Sequence, residues 1–230
     1  MTPIRAVLLD ALGTLVELQP PAPRLRAALR QTTGVDIGAQ NAERGFVTEI
    51  AYYLDHHIEG GDPIGLERLR DDCARVLREA IAVPELGLAA VRDAMVASLC
   101  FTAFDDAPPA LRALRARGLR LVAVSNWDCS LAHWLDSAGI GALIDGAVSS
   151  AEVGEPKPSP AIFRAALAAA GVEASEALHV GDSMANDVEG ARAAGIRAVL
   201  LARDGTRGGS SASGAGVECV RSLEAVASLT

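Results

Sequence analysis

Residues 6–14 read Ala-Val-Leu-Leu-Asp-Ala-Leu-Gly-Thr, and this segment indicates how the whole chain is organised. Four consecutive apolar residues followed by a glycine-containing turn are typical of a strand buried on both faces of a parallel sheet. Asp10 then lies at the carboxyl end of that strand, the edge at which open α/β sheets bind their ligands. An isolated aspartate of this kind can also belong to a turn, so its interpretation depends on the residues that follow downstream.

The composition limits the possible classes of function. A chain of 230 residues can bury one large core, or one core with a small accessory domain. Its net charge of -8 and its pI near 5.0 argue against a nucleic-acid or membrane partner. No segment approaches membrane-spanning length and the start lacks a secretion signal, so a cytoplasmic protein is expected. The scattered cysteines predict reduced thiols rather than a disulfide frame or a zinc site.

The pattern along the chain separates a helical block from an alternating block. Between about Pro20 and Phe104 it predicts no strand and four helices, at 23–33, 40–58, 66–81 and 88–100. Beyond Pro109 it predicts strands near 119–124, 147–149, 178–180, 198–201 and 217–220, separated by helices. Such alternation implies parallel βαβ units, so the helical block is an insertion into an α/β core. The Gly- and Ser-rich segment 206–216 is expected to be a surface loop.

Polar residues follow several of these predicted strands. Ser125 and Asn126 end one strand, Lys157 lies in a proline-rich extended segment, and Asp182 and Asp187 follow another strand. Because parallel strands bring their carboxyl ends to one edge of the sheet, we expect these side chains to meet Asp10 in one crevice. Helix capping is the alternative role for Asp182 and Asp187.

The order of these markers resembles the haloacid dehalogenase-like hydrolase superfamily over nearly the whole chain. The matching residues are Asp10 with Gly13-Thr14, Ser125, Lys157, and Gly181-Asp182 with Asn186-Asp187. The resemblance implies a Rossmann-like, doubly wound parallel sheet as an α/β core at 1–18 and 104–230. It also implies that residues 19–103 form an inserted all-helical cap domain of the four-helix (C1, subfamily I) type.

The resemblance also implies a role for each marker. In the phosphatase branch, Asp10 would attack phosphorus and form an aspartyl phosphate that water then hydrolyses. Ser125 would hydrogen-bond the phosphoryl group and Lys157 would offset its charge. Mg²⁺ would be held by Asp10, the backbone carbonyl of Leu12 and Asp182, with Asp187 binding it through water or holding a ligand in place.

Further residues are expected to contact the substrate. Thr14 and Asn126 are the candidates in the core. In the helical block, Glu49, Tyr53 and His56 or His57 share a helix face, and we assign Tyr53 and His56 to substrate binding. Tyr53 could instead belong to the core of the cap and the histidines to a solvated tip.

Leu12 departs from the family's phosphatase pattern, which usually has a second aspartate there to protonate the leaving oxygen. One hypothesis is a magnesium-dependent phosphatase acting on a small phosphorylated metabolite, with Asp128 as substitute acid or a leaving group that needs no proton. A second is a metal-independent 2-haloacid dehalogenase-type hydrolase with Asp10 as nucleophile. A third is a non-catalytic binding protein of the same fold, and Asp182 favours the first. We expect a monomer or homodimer.

Overall fold

The computed structural model describes residues 2–203 and 216–230, so the predicted loop at 206–216 lies outside them except for Gly216. Eight strands and a series of helices make up the described chain. The strands are β1 (Ala6–Leu9), β2 (Val16–Leu18), β3 (Phe101–Ala103), β4 (Arg120–Ser125), β5 (Gly146–Ser149), β6 (Ala177–Gly181), β7 (Arg197–Leu201) and β8 (Glu218–Val220). The helices are α1 (Pro21–Thr33), α2 (Ala39–His56), α3 (Pro63–Ile81), α4 (Leu88–Ser98), α5 (Ala107–Ala116), α6 (Leu131–Ser137), α7 (Ser150–Val153), α8 (Pro160–Ala170) and α9 (Gly190–Ala193).

Six strands form one parallel sheet in the order β5-β4-β1-β6-β7-β8. Strand β1 is central, and Leu9 lies opposite Ala123 of β4 and Val180 of β6. The chain proceeds outward on one side of β1, through β4 and β5, and then crosses to β6 on the other side. The carboxyl ends of β1 and β6 therefore flank the switch point at which such sheets bind ligands.

Hydrophobic clusters cover both faces of this sheet. Val7 and Leu9 pack with Leu111 of α5 on one face, while Leu8 packs with Phe163 of α8 on the other. All four residues of β1 are fully buried, and burial of each leucine side chain stabilises the fold by about 1.5–3 kcal/mol. The predicted doubly wound α/β architecture is confirmed, and Asp10 follows the most enclosed strand of the sheet.

The helices α1 to α4 pack around a separate hydrophobic core that includes Leu25, Phe46, Leu77 and Met95. Their sequence signals are local. Helix α3 begins where the Asp62 carboxylate accepts a hydrogen bond from the Gly65 amide at 2.7 Å, directly before a proline in the first turn. No helix in 2–203 or 216–230 has both the length and the apolar character needed to cross a membrane.

The prediction that residues 20–104 contain no strand was wrong at the carboxyl-terminal end of that segment. Strand β3 pairs antiparallel with β2, with Val16 opposite Ala103 and Leu18 opposite Phe101. Each strand has only three residues, too few for an alternating pattern to stand out from the sequence. This ribbon joins the first and last residues of the helical block to the sheet, and Leu18 and Phe101 bring it beside the site described next.

Several predicted helices also end or begin elsewhere: α1 and α3 begin earlier than predicted, at Pro21 and Pro63, and α4 ends earlier, at Ser98. Helix α2 stops at His56, and a tighter 3₁₀ turn at His57–Gly60 replaces the predicted extension to residue 58. After β6 the chain starts helical structure early, as a π-helical turn over Met184–Glu189 that leads into α9. Turns of this kind recur at functional sites, and this one holds Asp187.

Candidate active site

The carboxyl ends of β1 and β4, with the loop before α8, bring Asp10, Ser125 and Lys157 into direct contact. The Ser125 hydroxyl donates to Asp10 Oδ1 at 3.2 Å, and Lys157 Nζ donates to the same oxygen at 2.5 Å. All three residues are buried, with 3–5% of their surface exposed. Asp10 is therefore held by a hydroxyl and an ammonium group that share one of its oxygens.

Asp187 lies on the far side of the lysine. Its Oδ1 accepts from Lys157 Nζ at 2.7 Å and lies 3.0 Å from His179 Nε2, while its Oδ2 accepts from the Ser183 amide at 2.9 Å. These contacts occupy both carboxylate oxygens. Of the two roles considered for Asp187, binding the metal through water or holding a ligand in place, these contacts favour the second.

Asp182 is the third acid of the cluster. Oxygen atoms of Asp10, Asp182 and Asp187 lie within 4.8 Å of one another. Gly13 makes room for this arrangement: its φ is +86°, and a Cβ built there would lie 2.4 Å from Asp182 Oδ2. Only glycine adopts such a backbone at low cost while leaving that space free.

The electrostatics of the cluster favour a bound cation. Burial, together with the charges of Asp10 and Asp187, raises the pKa of Asp182 to about 6. Burial also raises the pKa of Asp10 against the opposing effect of Lys157. Although burial opposes it, Lys157 and His179 hold the pKa of Asp187 below its usual value. Three carboxylates face one lysine, and Asp182 forms no ion pair with any described residue. Hard oxygen ligands with surplus negative charge suit Mg²⁺, so the residues present fit such an ion.

Asn126 holds the lysine segment rather than pointing freely into the site. Its Oδ1 accepts from the Lys157 amide at 2.7 Å, and its Nδ2 donates to the Lys157 carbonyl at 3.1 Å. This paired contact fixes the position of Lys157 across the end of β4. Asn126 also lines a cavity beside the site, and a substrate bound in that cavity can contact it.

That cavity, here called the α2 cavity, lies between helix α2 and the sheet edge and has a volume of about 120 Å³. Its boundary includes Glu49, Tyr53 and Leu54 of α2 together with Leu12, Asn126 and Asp128. Leu12 is 44% exposed. The Tyr53 hydroxyl donates to Asp128 Oδ2 at 3.0 Å, so Tyr53 belongs to the cavity wall.

Asp128 was considered as a substitute proton donor or a cap of the next helix, and its contacts are those of the turn before α6, whose N-cap residue is Ser130. Its Oδ1 accepts from the amide and the hydroxyl of Ser130 at 2.7 and 2.5 Å, directly before α6. With Tyr53 on the other oxygen, the carboxylate is occupied on both sides. These bonds hold it as a turn and wall residue.

The structure does not bring two predicted substrate-binding residues to the site. Thr14 is fully buried, and its hydroxyl has no hydrogen-bond partner within the described part of the chain. The His56 ring stacks on Tyr52 with centroids 3.9 Å apart, and its Nδ1 lies 2.8 Å from the Tyr52 carbonyl oxygen. Neither residue lines the α2 cavity. The direction of a side chain at the end of α2 depends on how the helix is tilted, which periodicity does not give.

Two contributors to the site were missed. His179 lies inside β6, fully buried, with its ring edge-to-face against Phe163. A titratable side chain within a fully buried strand requires a hydrogen-bond partner. The position of His179 inside an apolar strand was therefore the signal by which the sequence could have identified it. Arg203, after β7, donates to the Thr14 carbonyl at 2.7 Å and stacks 4.0 Å above the Phe104 ring, and so it secures the turn that follows Asp10. No motif in the sequence pointed to it.

Comparisons with known proteins show the family to which the chain belongs. The family model for haloacid dehalogenase-like hydrolases matches residues 4–195. Haloacid dehalogenase-like hydrolase domain-containing protein 3 of Mus musculus is 32% identical over 212 residues, which cover 86% of this chain and 82% of the relative. The phosphoglycolate phosphatase of Rhodospirillum rubrum is 33% identical over 201 residues, covering 86% of this chain and 79% of the relative.

Among solved structures, that of an L-2-haloacid dehalogenase is similar with a TM-score of 0.68 and 27% sequence identity, covering 99% of both chains. The family model and the relatives that match along most of their length confirm the resemblance found in the sequence. The chain therefore belongs to the haloacid dehalogenase-like hydrolase family and is a hydrolase.

Proposed function

We propose that this hydrolase is a magnesium-dependent phosphatase that acts on a small phosphorylated metabolite, with Asp10 as the nucleophile. The observation that carries the proposal is Asp182, whose carboxylate lies beside Asp10 without a basic partner among the described residues. A metal-independent mechanism has no use for a third acid at this position. The similarity to a phosphoglycolate phosphatase along most of both chains supports the same choice.

In the proposed reaction an oxygen of Asp10 attacks phosphorus, and the bond from phosphorus to the leaving oxygen breaks. The resulting aspartyl phosphate is then hydrolysed by water, which releases inorganic phosphate and restores Asp10. Ser125 and Lys157 hold the carboxylate in place and lie where they can stabilise the charge of the transferring group. Asp187 and Asn126 keep the lysine in this position.

Asp10, Asp182 and the Leu12 carbonyl would hold Mg²⁺, with Asp187 as a supporting group. When bound, the ion supplies neutralisation of the phosphoryl oxygens and of the acidic cluster. This arrangement takes only a backbone oxygen from residue 12, so replacement of the usual aspartate by leucine leaves the proposed ligand set intact.

Although Leu12 leaves the proposed metal ligands unchanged, it limits which leaving groups the enzyme can release. A leucine side chain cannot protonate a leaving oxygen, and Asp128, the nearest candidate in sequence, is held by Ser130 and Tyr53. General acid catalysis is commonly worth about 10² to 10⁴ in rate. We therefore propose aryl or acyl phosphates, whose leaving groups depart without a proton, as better substrates than alkyl phosphates.

A 2-haloacid dehalogenase is the second candidate, because halide also leaves without a proton and because of the structural similarity to an L-2-haloacid dehalogenase. In that reaction Asp10 would displace halide from carbon, and water would hydrolyse the resulting ester. Asp182 counts against it, since this reaction needs no metal ligand at that place.

The deciding experiment measures phosphate release from 4-nitrophenyl phosphate and acetyl phosphate with Mg²⁺ and with EDTA. We expect release that requires Mg²⁺ and is abolished in Asp10→Asn and Asp182→Asn. Asp93→Asn, a change at an exposed aspartate of α4, serves as the matched control and should retain activity. Metal-independent chloride release from 2-chloropropionate would establish the dehalogenase instead. Failure of both reactions with Mg²⁺ still bound would contradict both candidate activities.

A further inference from the structure

We propose that the α2 cavity receives the leaving group of the substrate and selects an uncharged, apolar leaving group, such as a single aromatic ring or a short branched chain, over one that carries a carboxylate. This inference rests on the proposed phosphatase function and specifies the substrate class of that site. Four features of the cavity support it: its position, the chemistry of its wall, its charge and its size.

The cavity begins at the edge of the reacting groups. Leu12, two residues beyond Asp10, lines it, and so does Asn126, the neighbour in sequence of Ser125. Leu12 also lines a second, larger cavity that contains Asp182. A phosphoryl group placed against Asp10 and Asp182 therefore has the α2 cavity beside it, across the Leu12 side chain.

The wall is mainly apolar. Aromatic rings of Phe101, Trp127 and Trp134 line it, together with aliphatic side chains from α2 and from the β2–β3 ribbon, such as Ile50 and Leu18. Apolar walls of this kind bind apolar groups by removing their surface from water. The apolar side chains of this wall cannot replace the hydration of a charged substituent.

Besides Tyr53 and Asn126, the polar side chains of the wall are the acids Glu49 and Asp128. Glu49 and Asp128 are 6% and 5% exposed, and no arginine, lysine or histidine occurs among the residues described along the α2 cavity. Arg70 lines only the small adjoining cavity, and it is paired with Glu67 at 3.0 Å. A carboxylate entering the α2 cavity would lose its hydration and face Asp128 without a counter-ion. An uncharged polar atom could instead hydrogen-bond to Glu49, whose pKa burial raises to about 7.

The size of the cavity sets the scale of the leaving group. Its volume is about 120 Å³, and an apolar cavity of about 150 Å³ accommodates benzene in another protein. A phenyl ring or a chain of four to six carbons is therefore the appropriate class. Leu54 is 56% exposed at the rim of the cavity, so a small adjustment there would complete the fit.

The test compares phenyl phosphate with 3-carboxyphenyl phosphate, because the two phenols are similar in acidity and differ mainly in charge. We expect kcat/KM to be at least about tenfold higher for phenyl phosphate, since an unpaired like charge in a desolvated site is costly. Leu54→Arg, which places a cation at the rim, should reduce that ratio about tenfold. Val47→Arg, at an exposed position of the same helix outside the cavity, should leave it unchanged.

Binding of the non-hydrolysable phenylphosphonate and 3-carboxyphenylphosphonate separates this inference from the proposed function. Tighter binding of phenylphosphonate without turnover of either ester would refute the phosphatase and support the cavity assignment. Equal or better binding and turnover of the carboxylated compounds would overturn the assignment and leave the phosphatase standing. A Leu54→Arg variant with the wild-type ratio would also count against it.

Discussion

Replacing Glu49 by glutamine should change how the stability of the protein depends on pH. Glu49 is 6% exposed, and burial raises its pKa from 4.5 to about 7. The groups around it are Tyr53 on α2, Arg70 and Cys73 on α3, and Asp128 after β4. None of them forms an ion pair with Glu49 in the described structure, so desolvation dominates the pKa.

The direction of the pH dependence follows from which state of the chain, native or unfolded, keeps the Glu49 proton to higher pH. Below pH 4.5 the carboxyl group is protonated in both the native and the unfolded chain. Between 4.5 and about 7 the unfolded chain loses the proton while the native chain keeps it, so stability falls as pH rises, and the loss is complete above about pH 7. The difference between the unfolded and native pKa values corresponds to about 3 kcal/mol in the free energy of unfolding, since each pKa unit is worth ~1.36 kcal/mol.

The assay is urea denaturation of the wild type and Glu49→Gln across this pH range. Between pH 5 and pH 8 we expect the free energy of unfolding of the variant to rise by up to about 3 kcal/mol relative to that of the wild type, because glutamine cannot ionise. Glu43→Gln, at an exposed position of the same helix, is the matched control and should follow the wild type at every pH. If plots of the free energy of unfolding against pH stay parallel for the wild type and Glu49→Gln from pH 5 to pH 8, the reasoning is refuted.

Three other substitutions test the site. Gly13→Ala should lower stability by about 1–2 kcal/mol and weaken Mg²⁺ binding in a calorimetric titration, because its Cβ displaces Asp182; Gly34→Ala has a similar φ of +77° but no close neighbour, so it should leave Mg²⁺ affinity unchanged. Leu12→Asp should raise kcat on alkyl phosphates by about 10² to 10⁴ and change aryl phosphate turnover much less; equal gains on both would contradict a missing proton donor. Lys157→Met should cost about 3–5 kcal/mol in urea denaturation because it leaves Asp10 and Asp187 buried without their cation; an unchanged midpoint would contradict that.

The sheet could be predicted because its signals are local. The apolar run before Asp10 and the alternation of strands and helices after Pro109 fix a parallel sheet, and such a sheet brings its strand ends together. The helices of the inserted block follow from periodicity, although α3 begins at Asp62-Pro63, before the predicted residue 66. Even the cluster of acids was expected, since its members follow β1 and β6.

Contacts that depend on three-dimensional packing were not predictable in the same way. The partners of Asp187 include His179, which reads in the sequence as one residue of a buried strand. Arg203 reaches the turn after Asp10 from a point almost two hundred residues away. His56 was assigned to the wrong surroundings because helical spacing gives a face but not what the face meets. The short β2–β3 ribbon forms only through pairing between distant segments.

The proposed mechanism requires a divalent ion bound beside the attacking oxygen of Asp10. A crystal structure with Mg²⁺ and the phosphate mimic vanadate measures this directly. We predict an ion coordinated by Asp10, Asp182 and the Leu12 carbonyl, with vanadium next to an Asp10 oxygen and within reach of Ser125 and Lys157. Vanadate bound without the ion, or an ion that leaves Asp182 uncoordinated, would contradict it.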